Sequence, residues 1–243
     1  MPETTLPLKD RVALVTGASR GIGAALAVEL ARLGAHCVLI ARTQGGLEET
    51  DDAIRTATGR SATLLPLDLQ KQEKELDMIG PSIVERFGRL DILVHNAGVL
   101  NKLTPVAHIE PRDWAETVAV NMTAAWRLIR TCDPPLRASD AGRAVFVTTG
   151  RVLRPKAYWG MYGATKAGME HLVATWAQEV AATKLRVNLA DPGIVATKLR
   201  GQAMPGEDPA TLPQPQDIAP ALAALCLPAE TRHGARVEIK PAG

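Results

Sequence analysis

Val12-Ala13-Leu14-Val15-Thr16-Gly17-Ala18-Ser19-Arg20-Gly21-Ile22-Gly23 is the stretch that decides the fold. Four apolar residues, suited to a strand covered on both faces, run straight into a glycine-rich turn. Beyond the turn Ile22, Leu26, Leu30 and Leu33 recur at helical spacing and give a crossover helix one apolar stripe. Cys37-Val38-Leu39-Ile40 then reads as the returning strand. Together these pieces are a βαβ unit.

Working outward, the same short β-branched runs return at 63–65, 92–94, 144–147, 186–189 and 236–239, separated by longer helical patterns. This alternation predicts an α/β fold: a single doubly wound Rossmann-type domain over residues 1–243, with a mainly parallel seven-stranded sheet. In such a sheet ligands bind beyond the carboxyl ends of the strands. The segment 193–215 breaks the rhythm, because Gly201, Gly206, Pro205, Pro209, Pro213 and Pro215 forbid one long helix. Its length suits a substrate lid within the domain.

Composition narrows the function classes. With 46% hydrophobic and 22% charged residues the chain has the apolar surface to fold as a globule, not as a disordered or fibrous protein. The 28 basic and 26 acidic side chains leave +2, and only 3% of residues are aromatic, so no platform for nucleic acid is expected. Cys37, Cys132 and Cys226 lie too far apart for a metal knuckle or a disulfide framework. They read as buried thiols, no metal site is expected, and the compartment is reducing. The charged start, with Glu3, Lys9, Asp10 and Arg11, does not resemble a secretory signal, and Glu29, Arg32 and His36 interrupt the most apolar stretch. A cytoplasmic protein without a membrane partner is expected.

The turn from Thr16 to Gly23 lets backbone amides and a helix N-terminus come close to a pyrophosphate. Its glycine spacing is not the commonest GxGxxG fingerprint. Where NAD-binding domains carry an acidic residue at the end of the second strand, this chain has Ala41 followed by Arg42. Arg20 and Arg42 can pair with a ribose 2′-phosphate, so NADP(H) is favoured, with NAD(H) also possible.

A second constellation begins at Tyr162. Tyr162, Lys166, Met169, Val173, Trp176 and Val180 step by fours and threes along one helix face, and four of the six are apolar. A lysine in a buried stripe needs a reason, since an unpaired buried ammonium is costly. A surface ion pair of Lys166 with Glu170 at i+4 is the plain alternative. The chemical reason is a phenol acidified by a nearby cation: at ~4 Å and an effective dielectric of ~20 the attraction is roughly 4 kcal/mol, about three pKa units. Tyr162 is preferred to Tyr158, which sits eight residues before the lysine. Thr149 offers a hydroxyl at the end of the fifth strand, able to donate to a carbonyl oxygen. Asn121 falls on the helical face of Trp114 and Val118, where an amide needs polar partners. Asp68, His95-Asn96-Ala97-Gly98 and Asp191-Pro192-Gly193 end the third, fourth and sixth strands and point to the same rim.

From Lys9 to the C-terminus these motifs resemble the short-chain dehydrogenase/reductase family. Thr16 to Gly23 matches its TGxxxGIG turn, Asn96-Ala97-Gly98 its NAG segment, Tyr162 with Lys166 its YxxxK pair, and Pro192-Gly193 with Thr197 its PGxxxT stretch. Asn121 matches the family's helix asparagine. The resemblance implies an NAD(P)-dependent oxidoreductase acting on an alcohol or carbonyl, with Tyr162 as general acid/base, Lys166 tuning it and binding the nicotinamide ribose, and Thr149 orienting the substrate. Asn121 would hold a water that links the lysine to solvent. It implies cofactor contacts from Gly17, Ser19, Arg20, Gly21, Ile22, Gly23 and Arg42, from Asp68 and Leu69 near the adenine, and from Asn96, Ala97 and Gly98. Pro192, Gly193, Ile194 and Thr197 would meet the carboxamide side.

Two positions depart from the pattern: Thr149 stands where serine is usual, and His95 where a small residue is usual. The missing serine motivates a rival reading, an NADP-binding sensor or scaffold of the same fold without turnover. Arg151, Arg154, Lys156, Lys198 and Arg200 flank the expected substrate mouth and would favour an anionic substrate or thioester, with a solvated loop as the plain alternative. The family resemblance implies a homodimer or homotetramer built through the helix of the YxxxK pair, and Ala164, Ala167 and Gly168 are small enough for close packing there.

Overall fold

The computed structural model describes residues 6–241. Its elements follow in chain order as β1 (Val12–Thr16), α1 (Gly21–Arg32), β2 (His36–Ala41), α2 (Gln44–Thr58), β3 (Thr63–Pro66) and α3 (Glu73–Phe87). Then come β4 (Ile92–His95), α4 (Pro111–Val118), a π-helical turn (Ala119–Thr123), α5 (Ala124–Ala138), β5 (Arg143–Val147) and α6 (Gly160–Glu179). The chain finishes with β6 (Arg186–Asp191), α7 (Lys198–Ala203), α8 (Pro215–Ala224) and β7 (Arg236–Glu238).

The strands form one seven-stranded sheet in the order β3-β2-β1-β4-β5-β6-β7, and every pairing is parallel. The five central strands are buried on both sides and the edge strands β3 and β7 only partly, so the alternation along the central strands divides two cores. From β1, Val12 and Leu14 join Leu128, Met169 and Trp176 of α5 and α6, whereas Ala13 and Val15 join Leu26, Leu30, Ile218 and Leu222 of α1 and α8. The chain reverses its direction of growth between β1 and β4, and that crevice opens at their carboxyl ends.

Asn96 closes the crevice. Its side-chain amide donates to the carbonyls of Thr16 and Gly17, each at 3.2 Å. The turn of β1 depends on glycine at two places. Gly17 has φ +65, and a Cβ there would lie 2.8 Å from the Cα of Ala97; a Cβ on Gly23 would lie 2.3 Å from the carbonyl oxygen of Gly17.

The segment 193–215 holds α7 and a short 3-10 turn at Pro209–Thr211 instead of one helix. Thr197 caps α7, its hydroxyl accepting from the Arg200 amide at 3.1 Å. Gly168, read from sequence as a contact between protomers, is used inside the chain: a Cβ there would come within 2.4 Å of the Met122 sulfur, so it lets α6 lie against the π-helical turn. Among the described residues no helix is long and apolar enough to cross a membrane.

Candidate active site

One continuous cavity of about 540 Å³ runs along the carboxyl ends of the strands. It joins the β1 turn to the helix face that begins at Tyr162. Gly17, Ser19, Arg20, Gly21, Ile22 and Arg42 line one end; Asn96, Ala97 and Gly98 line the middle; Thr149, Tyr162, Lys166, Pro192, Gly193, Ile194 and Thr197 line the other. Leu69 lines it as well.

Three expected residues stand back from the cavity wall. Asp68 turns its carboxylate onto its own loop, where it accepts from the Gln70 amide at 2.9 Å, and Leu67 and Leu69 present themselves instead. Gly23 is packed behind Gly17. Asn121 lies beneath the surface, fully buried. The sequence pattern puts Asn121 on the face of Trp114 and Val118, but Trp114 is 44% exposed. The π-helical turn inserts an extra residue per turn at Ala119–Thr123 and rotates Asn121 inward. Its carboxamide is fully employed there, accepting from the Val99 amide at 2.8 Å and donating to the Val99 carbonyl at 2.9 Å and to the Thr165 hydroxyl at 3.2 Å. It thereby fixes the strand-end loop over Lys166: a Cβ on Gly98 would lie 3.5 Å from the Asn121 oxygen and 3.6 Å from the Lys166 ammonium.

The α6 face is as the spacing predicts. Tyr162, Lys166, Met169, Val173, Trp176 and Val180 are all buried. Lys166 does not pair with Glu170. Its Nζ donates to the Val147 carbonyl at 2.8 Å, at the end of β5. Burial pushes the ammonium down to about 8, against the opposing pull of Glu170.

Tyr162 departs from the sequence expectation. Burial pushes its phenol up to about 12, and the Asp191 carboxylate pushes the same way. The lysine one turn along does not offset a desolvation this complete. Tyr158 is 58% exposed with φ +74 and lies outside the helix, which leaves Tyr162 as the phenol in the cavity.

Thr149 sits where β5 ends. Its hydroxyl oxygen accepts from the Arg151 amide at 3.3 Å, so its own proton is free to point at a substrate oxygen. Beneath it lies a charged cluster that sequence reading did not assemble. Arg236 donates to the Thr149 carbonyl at 3.0 Å, to Asp191 at 2.9 Å and to Glu170 at 3.1 Å, and Glu170 also accepts from the Thr148 hydroxyl. The other oxygen of Asp191 accepts from the Gly193 amide at 3.0 Å. Arg236 thus ties β5, α6, β6 and the Pro192-Gly193 turn together, across long sequence separations that no local spacing reveals.

His95 is a spacer, as its position suggests. Thr16 Oγ1 accepts from the amides of Asn96 and Ala97, each at 3.2 Å, so its proton goes to His95 Nδ1 at 3.1 Å. Burial first, and the charge of Lys166 second, push the imidazole down to about 3. Near neutrality it neither donates nor accepts a catalytic proton. In the unfolded chain His95 takes up a proton near its ordinary pKa, so below about 6.5 stability falls with pH until the folded imidazole itself titrates. Urea unfolding at pH 7 and pH 4 measures this: the loss of stability between the two is expected to shrink by about 3 kcal/mol in His95→Asn.

Comparison with known proteins agrees with this architecture. The family model for short chain dehydrogenases matches residues 11–208. The chain is 37% identical over 214 residues to the uncharacterized oxidoreductase YciK of Escherichia coli K12, covering 88% of this chain and 84% of that protein. A short chain dehydrogenase from Shigella flexneri complexed with NADP superimposes with a TM-score of 0.92 at 34% identity, covering 97% of this chain and 99% of the other. One from Escherichia coli CFT073 complexed with NADPH gives 0.90 at 34% identity, covering 99% and 100%. With this sheet order, this cavity and these matches, the chain belongs to the short-chain dehydrogenase/reductase family of oxidoreductases.

Proposed function

We propose that the protein is an NADP-dependent oxidoreductase that interconverts a carbonyl and an alcohol, with Tyr162 as general acid/base. The observation that carries this reading is the placement of Tyr162 and Lys166, both buried, in the same cavity as the glycine turn and the 192–197 segment. The residues present fit a dinucleotide. At Gly17 the backbone has φ +65 and at Gly21 φ +58, and the turn leads into the N-terminus of α1, whose free amides favour a pyrophosphate. Gly17, Ser19 and Ile22 would hold it, with Leu69 beside the adenine and Pro192, Gly193, Ile194 and Thr197 beside the carboxamide. The bound nicotinamide supplies or accepts the hydride.

The protein handles the proton. The Thr149 hydroxyl donates to the carbonyl oxygen and holds it, while Tyr162 gives its phenolic proton to that oxygen as it gains charge. Lys166 stabilises the phenolate left behind and binds the ribose. Asn121 keeps the Val99 loop against the lysine, and with both its amide hydrogens given to Val99 and Thr165 it positions that loop instead of donating to a water. Burial raises the Tyr162 phenol, and the cations that would oppose it are the Lys166 ammonium and the positive ring of an oxidised nicotinamide.

Cofactor choice rests on Arg20 and Arg42. In the free protein Arg42 reaches Glu116 at 3.5 Å, and both side chains line the cavity. The guanidinium is 53% exposed, so exchanging this loose pair for a 2′-phosphate costs little. The ratio of the NADH to NADPH dissociation constants, read by fluorescence titration, is expected to fall about tenfold or more toward one in Arg42→Ala. An unchanged ratio would assign the preference elsewhere.

The same reading takes 193–215 as the substrate lid, the protein as a cytoplasmic homodimer or homotetramer, and the partner as a small carbonyl or alcohol compound. Three buried free cysteines, Cys37, Cys132 and Cys226, support a reducing compartment.

A further inference from the structure

Five cations flank the expected substrate mouth, and the structure separates them. Arg154 and Lys156 do not line the cavity, and Arg200 is held by Glu207 at 2.5 Å and 2.8 Å. Arg151 and Lys198 remain. Lys198 is exposed. Arg151 is partly buried, with its guanidinium 5.6 Å from the centroid of the Trp159 ring. Trp159 in turn meets the Tyr162 ring edge-on at 6.0 Å. The backbone of Arg151 is anchored to Thr149, whose hydroxyl accepts from its amide at 3.3 Å. Thr149, Arg151, Trp159 and Tyr162 therefore surround one reaction space, closed on its far side by the apolar Leu100 and Ala203.

The cation meets the indole ring, and among the described residues no hydrogen bond or ion pair takes the side-chain N–H groups of Arg151, which leaves them free for a bidentate acceptor. We propose that Arg151 receives the carboxylate of an oxo-acid substrate whose carbonyl lies between Thr149 and Tyr162. This substrate class rests on the reading of the site given above. The carboxylate meets the guanidinium edge, the indole wall excludes water from the pair, and Lys198 adds attraction at the entrance. Arg200 takes no part, since Glu207 already faces it, and Arg42 lines the opposite, glycine-turn end of the cavity.

The test pairs 2-oxo and 3-oxo acids with their methyl esters and follows NADPH oxidation by wild type, Arg151→Met and Arg151→Lys. The acid-to-ester ratio of kcat/KM is expected to exceed one in wild type, to fall about tenfold or more in Arg151→Met through KM, and to recover in part in Arg151→Lys. Rising salt is expected to lower kcat/KM for the acid alone. Calorimetry supplies a readout without turnover: the hydroxy acid, added to the NADPH complex that cannot reduce it, is expected to bind about tenfold more weakly to Arg151→Met. Should Arg151→Met fail to fold, the Lys variant and the wild-type salt dependence decide. A wild-type preference for the esters, an unchanged ratio in either variant, or a preference for dihydroxyacetone phosphate over the acids overturns the carboxylate assignment and leaves the carbonyl reductase reading intact. Absence of turnover by wild type with every carbonyl compound overturns the reading beneath it as well.

Discussion

Tyr162→Phe is expected to lower kcat by about 10³-fold, inside the range of about 10²–10⁴ that a positioned proton donor contributes. The substitution removes one oxygen from a ring that is otherwise 8% exposed and packed against Trp159, so the fold is retained. NADPH affinity, measured by fluorescence titration, is expected to change far less than kcat. The pH profile carries the mechanism. Burial raises the phenol to about 12, so a basic group well below that value in the pH profile of the oxidative kcat/KM would report acidification of Tyr162 by the cations beside it. Full activity of Tyr162→Phe on a carbonyl substrate would remove the phenol from the reaction. Tight NADPH binding by wild type without turnover on any carbonyl would favour a sensor or scaffold instead.

Lys166→Met is the second large effect, and it separates stability from catalysis. Methionine fills nearly the same volume, leaves the Val147 carbonyl without its donor, and relieves the burial of a charge. Activity is expected to fall by about a hundredfold or more, since the phenolate loses the cation that stabilises it. Stability responds to pH in a defined direction. The folded ammonium titrates at about 8 and the ordinary value is 10.5, so between these values the unfolded chain binds more protons and stability rises with pH. Wild type is therefore expected to gain about 3 kcal/mol on Lys166→Met between pH 8 and pH 10.5, measured by urea unfolding. A constant difference between the two proteins across that window would mean that Lys166 is not buried as a cation.

Much of the fold was legible because a parallel sheet covered on both faces writes itself as short apolar runs, and all seven were read within a residue or two of their bounds. The buried face of α6 was legible for a similar reason: helical periodicity is a local property, and Tyr162 through Val180 obey it without interruption. Asn121 shows where periodicity stops working. Five residues of π-helix shift the register, and a side chain read as sharing a face with the exposed Trp114 becomes fully buried.

The amino-acid sequence by itself determined the βαβ order, the glycine turn, the lysine in an apolar stripe and the absence of an acid after β2, because each is set by neighbours a few residues apart. Only the tertiary structure decided which cations remain free, that Arg236 joins Asp191 and Glu170 beneath Thr149, and that burial raises the Tyr162 phenol. Those outcomes depend on desolvation and on charges brought together from strands far apart in the chain, and neither quantity exists until the sheet has closed over its helices.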